Sequence, residues 1–468
     1  MKKGLSIIQW GVCLVLALTA CQSNEPLTGG TPAVTKPVPT ATQDTRTPTA
    51  TKVPTISADE SQLNGVKITL LHPWSGETGK AVDQLVEEFN QSNDWGITVK
   101  ISEPGSTSLA IQELEQNDAD ASTIDLAVVP TWQLFRQDQS SSNIVDLNPY
   151  ILSKNVGLND EQIEDYYPVF WSENLLDGKL YGIPAQQTAA LLFYNATWAT
   201  ELGFTQPPVT LVDFKAQICA ANKTFRSDGD RSNDGLGGWL ISSDAATMFN
   251  WLGAFNAIDY HRLPESFTTN GVQSAFQFLF DLQKDSCAWS SRMPEPYDYF
   301  ATRQALVYSG TLQDIWPQSA GFERAGNEDE WLAIPYPSEG DQRLLTEGLS
   351  WGIVETDANR QLAAWLFISW MSQPENQLRL LQASGTLPLS SQALEMAKPF
   401  LNYPQWQAAV SMLPDAATLP ADPNTGIVRV VLADAGSYLF RSEFTTDKIP
   451  GLLTQLDATI KELAERAP

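Results

Sequence analysis

Between residues 66 and 129 the hydrophobic period switches from strand to helix and back, and this limits the fold more than any other feature. Val66-Lys67-Ile68-Thr69-Leu70-Leu71 is a β run. Ala81, Leu85, Val86 and Phe89 then recur at helical spacing. Ile97 to Ile101 alternates strictly between apolar and polar residues. Leu109 to Leu114 is a second helix candidate, and Asp125 to Val129 is a short buried strand that stops at Pro130. This β-α-β-α-β order predicts an α/β architecture, a parallel sheet covered by helices. Ligands of such sheets sit beyond the carboxyl ends of the strands. His72-Pro73-Trp74-Ser75-Gly76-Glu77 follows the first strand and Pro130-Thr131-Trp132 the third, which places two tryptophans where a ligand is expected. Strand-like and helical stretches continue to the C-terminus, and the last third is mostly helical. A chain of 468 residues, 43% hydrophobic, has room for about two domains.

The amino terminus reads as an address. Lys2 and Lys3 precede a nearly unbroken apolar stretch from Leu5 to Ala20, too short for a spanning helix and suited to a secretory signal. It ends Leu18-Thr19-Ala20-Cys21, which resembles the bacterial lipobox. Residues 1–20 are therefore expected to be a lipoprotein signal peptide and Cys21 to carry lipid; the alternative is an uncleaved anchor that contains a cysteine. Residues 21–62 repeat Pro and Thr, hold no aromatic residue, and predict an extended tether. Lipid, spacer and globular body describe an exported protein anchored at the outer face of the cell membrane, or in the periplasm.

Charge and scarce residue types exclude several functions. With 55 acidic and 29 basic residues the net charge is −26, which argues against nucleic acid as a partner. Two histidines, His72 and His261, rule out a multi-His metal site. His72 lies in the first ligand loop, where it could donate to a ligand hydroxyl or serve as a structural residue. Once Cys13 leaves with the signal and Cys21 is lipidated, Cys219 and Cys287 remain in an oxidising compartment. They are expected to pair as a structural disulfide; two buried free thiols are the alternative. Asp228, Asp230, Ser232 and Asp234 place oxygen side chains at alternate positions, like the front half of a calcium loop. Asn233 stands where that loop wants Gly, and Trp239 where its bidentate Glu belongs. Structural calcium and a solvated turn both remain open here, and no other cofactor is expected.

Asp177-Gly178-Lys179-Leu180-Tyr181-Gly182-Ile183-Pro184, followed by Leu192-Phe193-Tyr194-Asn195 and Leu202-Gly203-Phe204, resembles the extracellular solute-binding proteins of carbohydrate ABC transporters, the family that includes maltose-binding protein. Ala305 to Gly310, Trp331 to Pro337, and Ala363 to Phe367 with Gln373-Pro374-Glu375 and Gly385-Thr386-Leu387-Pro388 are similar to later family segments, in the same order. The resemblance covers roughly residues 66–468. It implies a two-lobe periplasmic-binding-protein type II fold with a cleft and hinge crossovers. Lobe 1 is expected at 63–184 plus 302–348 and lobe 2 at 185–301 plus 349–468, with crossings near Pro184, Ala301 and Gly348. It also implies permease subunits of an ABC importer as partners, a carbohydrate ligand, and no enzymatic activity.

A pyranose needs an aromatic surface for its C–H face and fixed polar groups for its hydroxyls. The expected ligand-binding residues are Trp74, Glu77 and Trp132 from the first lobe and Gln186, Gln187 and Trp251 from the second. Ser309, Gly310 and Gln313, and Trp351 beyond Gly348, lie where the chain crosses. Three readings compete with sugar delivery: a surface glycan hydrolase or lyase, a sensor component, and the same fold holding a non-sugar solute such as a polyamine.

Overall fold

The computed structural model describes residues 56, 58–117, 123–139, 144–291, 293 and 295–466. The signal peptide, Cys21 and the tether as far as residue 55 lie outside the described residues.

The first part of the body folds as its periodicity requires. β1 (Lys67–Leu71), α1 (Gly76–Ser92), β2 (Thr98–Ser102), α2 (Thr107–Glu115), β3 (Leu126–Val129) and α3 (Thr131–Asp138) alternate along the chain. β1 lies between β2 and β3 and runs parallel to both. α1 turns one stripe inward, Val82, Leu85, Val86 and Phe89. All of β3 is buried, as expected of a strand covered on both faces. Asp125, just ahead of β3, is fully buried too. It accepts the Thr69 N–H at 2.8 Å and meets the Arg360 guanidinium at 2.6 Å. Burial raises its carboxyl pKa, opposed by both of those partners.

Seven further strands complete the main sheet: β4 (Ile183–Asn195), β5 (Trp239–Leu240), β6 (Ala288–Trp289), β7 (Val307–Thr311), β8 (Trp331–Ile334), β9 (Leu345–Ile353) and β10 (Ala417–Thr418). The path through the sheet is β2-β1-β3-β9-β4-β7-β5-β6, with β8 against β4 and β10 against β9. β4 is 13 residues long and serves both halves. Its first part pairs antiparallel with β9, and its second part with β7 and β8. The remaining helices of note are α4 (Pro168–Ser172), α5 (Leu211–Arg226), α6 (Ala245–Ala254), α7 (Asn270–Lys284), α8 (Ala358–Met371), α9 (Pro374–Ser384), α10 (Thr425–Leu439) and α11 (Ile449–Arg466). A disulfide joins Cys219 on α5 to Cys287, next to β6. No helix among the described residues is long and apolar enough to cross a membrane.

Strand pairing distributes the chain differently from the expected lobe boundaries. β7 and β8, expected with the first lobe as part of 302–348, pair with the second half of β4, and β7 also pairs with β5. The chain therefore makes no crossing near Ala301. Most of 349–413, expected with the second lobe, packs on the first: β9 pairs with β3, α8 packs on β1 and α9 on α1. Phe367 of α8 meets Phe89 of α1 edge-on at 5.0 Å, inside the first core. Only α10 and α11 return to the second core, against α6 and α7. The crossings at Pro184 and Gly348 fall within strands β4 and β9, so hydrogen-bonded ribbon joins the halves.

Candidate functional site

A cavity of 860 Å³ opens between the two halves of the sheet. α2, the turn from β3 into α3, and Glu173 after α4 wall one side. β4 and β9 form the floor. Residues 419–430, entering α10, and the end of α11 close the other side. The cavity thus begins beyond the carboxyl end of β3, where the sheet's topology places a ligand.

Trp132 is the aromatic wall. It is the second residue of α3, directly after the turn at Pro130, and it is half-buried. Its indole reaches across to α10 and lies so close to Gly426 that a Cβ there would stand 2.3 Å from the ring. Strand alternation then sorts the floor. Gln186 and Thr188 line the cavity while Gln187 points away from it and is fully buried. The Oε1 of Gln186 accepts the Trp74 indole N–H at 2.8 Å, leaving its amide NH₂ for the cavity. The Gln187 amide donates to Glu173. Gly348 must be glycine, because a Cβ would come within 2.1 Å of the Gln186 carbonyl as β9 passes β4. The Thr188 hydroxyl and the Gln133 Oε1, both from lining residues, are buried without a partner among the described residues.

Three arginines reach the cavity, and each meets a carboxylate. Arg429 pairs with Glu347 at 2.5 Å, Arg136 with Glu115 at 3.9 Å, and Arg466 with Glu462 at 2.5 Å. Glu173 has no cation beside it in any ion pair among the described residues. Burial, with Glu347 nearby, pushes its carboxyl up to about 8 despite the hydrogen bond from Gln187.

The structure brings together Trp132, Gln186 and Gln313 of the expected residues, with Gln187 one layer behind. Others are elsewhere. Trp251 is 0% exposed in the second core, against Trp239 and Phe214. Trp351 is 2% exposed and packs on Trp74 and Phe367. Both side chains are apolar filling inside their halves. Trp74 itself is 6% exposed, so it supports Gln186 and does not line the large cavity. Glu77 is exposed and pairs with Lys80. His72 is buried beside Trp74 with neither ring nitrogen hydrogen-bonded, and burial lowers its pKa to about 4. Ser309 lines a separate hollow of 380 Å³ with Ser242 and Ser243, while Gly310 faces Tyr308 and Asp314.

The acidic turn is hydrogen-bonded within itself. Asp228 accepts from the Asp230 N–H and the Asn233 amide, and Asp230 accepts from the Ser232 N–H and hydroxyl. The side chains satisfy their own turn, with Asp234 making no such bond. No cluster of three or more metal-ligating side chains occurs among the described residues. Sequence reasoning missed Glu173, Glu347, Arg429 and Gly426. They meet from α4, β9 and α10, and only the pairing of β4 with β9 makes them neighbours.

Residues 84–412 match the family described as bacterial extracellular solute-binding protein. A putative binding protein of Brucella abortus is 21% identical over 413 residues, covering 86% of this chain and 95% of the relative. The crystal structure of a cyclic alpha-maltosyl-1,6-maltose binding protein from Arthrobacter globiformis superposes with a TM-score of 0.67 at 20% identity, over 85% of this chain and 99% of that one. UgpB from Mycobacterium tuberculosis, in complex with glycerophosphocholine, gives 0.68 at 16% identity over 86% and 98%.

Proposed function

This chain belongs to the bacterial extracellular solute-binding proteins, and from that premise we propose that it captures a carbohydrate, probes of oligosaccharide length being the first choice, and delivers it to the permease of an ABC importer. It performs no chemistry on its ligand. It is held at the membrane by lipid on Cys21, with residues 21–62 as the tether.

The observation that carries the sugar reading is the composition of the cavity wall. One indole, free amides and hydroxyls, and arginines already occupied by carboxylates suit an uncharged polyol with an apolar face. A phosphodiester ligand, as in the UgpB complex, would want an unpaired arginine, and each arginine at this cavity has its carboxylate. Gln186 and Thr188 on β4 offer the cavity neutral polar groups, which suit the hydroxyls of a sugar.

A thermal-shift screen of mono- and oligosaccharides, polyamines and glycerophosphodiesters tests this. A ligand that binds only the folded form stabilises it by about 2.7 kcal/mol at a hundredfold excess over Kd. A shift with one sugar class, and recovery of that sugar intact, supports the reading and sets the hydrolase aside. A shift with polyamine or phosphodiester alone overturns the sugar assignment.

A further inference from the structure

Glu173 is the odd charge of the cleft. Every other charged side chain lining the cavity has an opposite charge within ion-pair distance, and Glu173 has none among the described residues. It follows the last residue of α4, and its carboxyl group takes the Gln187 amide hydrogen. The charged group facing it is Glu347 on β9, whose own carboxylate is engaged by Arg429 of α10. Gln187 on β4 contributes a neutral donor. An ionised Glu173 would add one uncompensated negative charge to a wall that is otherwise balanced, with a second carboxylate across from it.

We propose that Glu173 is a ligand-binding residue that carries its proton at neutral pH and donates it to an oxygen of the bound carbohydrate. The proposal rests on the sugar reading for the ligand, not for the proton. With the proton in place the wall is electrically neutral. One carboxyl oxygen accepts from Gln187, and the carboxyl hydrogen is available to the cavity. Burial and the Glu347 carboxylate both favour this neutral form, placing the titration near 8. Among the groups of the floor and walls, it is the acid whose protonation state ligand binding and pH would share. No bond is broken in the process: the hydrogen stays on the carboxyl oxygen and is shared with the ligand oxygen.

The experiment compares the full chain with Glu173→Gln, an isostere of the protonated acid that does not titrate. In the ligand-free protein, an acid held neutral in the folded state stabilises the fold at low pH, and that stability is lost as pH rises toward the folded value. The melting temperature of the wild type should therefore fall relative to Glu173→Gln between about pH 5 and pH 8, then run level. Parallel curves would overturn the proposal. Isothermal titration with maltotriose gives the ligand arm. Wild-type affinity should drop about tenfold between roughly pH 7 and pH 9, while Glu173→Gln stays flat. Wild-type affinity that is flat with pH overturns the donation step. Failure of maltotriose to bind at any pH counts against the sugar reading, and the ligand-free curves then decide whether the proton is held.

Discussion

Replacing Trp132 by alanine removes the aromatic wall of the cleft and nothing of either core. The indole lines the cavity, with a face of its six-membered ring over Gly426. A sugar that covers about 50 Å² of the indole gains about 1.3 kcal/mol at ~25 cal/mol per Å², which corresponds to about tenfold in Kd. The same contact can be disturbed from the other lobe. Gly426→Ala puts a methyl group 2.3 Å from the present ring position, so the indole must tilt or shift. Both variants should weaken the sugar identified by the screen about tenfold or more in isothermal titration calorimetry. Trp132→Ala should melt close to the wild type, since the residue is only half-buried. Trp74 gives the contrast: it is buried, and large-to-small changes at such sites cost about 3–5 kcal/mol, so Trp74→Ala should lose stability as well as affinity. Unchanged affinity in both Trp132→Ala and Gly426→Ala, with normal binding by the wild type, would refute the placement of the ligand.

Three further outcomes concern the scaffold. Asp125→Ala strands the Arg360 guanidinium and the Thr69 N–H between β1, β3 and α8, and should cost about 3–5 kcal/mol in denaturant unfolding; a loss below about 1 kcal/mol would show that solvent reaches the pair. The Cys219–Cys287 bridge closes a loop with a sequence separation of 68, so replacing both cysteines by serine should lower stability by about 4 kcal/mol, read by calorimetry against the oxidised wild type. His72 has its pKa lowered by burial to about 4, so its contribution to stability is present above the ordinary value of 6.5 and is lost as pH falls through the folded value. A His72→Leu variant should therefore show a shallower loss of melting temperature across that acid window.

The parts of the fold visible in the sequence were those set by local period. β1 through β3 follow directly from the alternation and helical spacing of residues 66–129, and the cavity beyond β3 lies where strand direction leads. Trp132 and Gln186 were accessible for that reason, one after a strand end and one after Pro184. Trp251 and Trp351 misled because the same residue type serves sugar faces and cores, and only tertiary burial separates them. The lobe boundaries failed for a related reason: Ala305 to Gly310 reads as a strand whichever sheet it joins, and its antiparallel pairing with β4 is a long-range choice. Glu347 and Arg429 are 82 positions apart and leave no local mark. Glu173 sits among many other acidic residues, and its distinction is the absence of a cation, which composition cannot express.

The length of β4 has a thermodynamic consequence. Each half of the main sheet uses part of this one strand as its neighbour: β9 hydrogen-bonds to the first part, β7 and β8 to the second. Losing either half exposes ladder groups of a strand that the other half still needs. Melting one half alone therefore leaves the survivor with a frayed border, so the coupling favours the states in which both halves are ordered or both are lost. The strand that divides the two lobes is also what makes their folding a shared event.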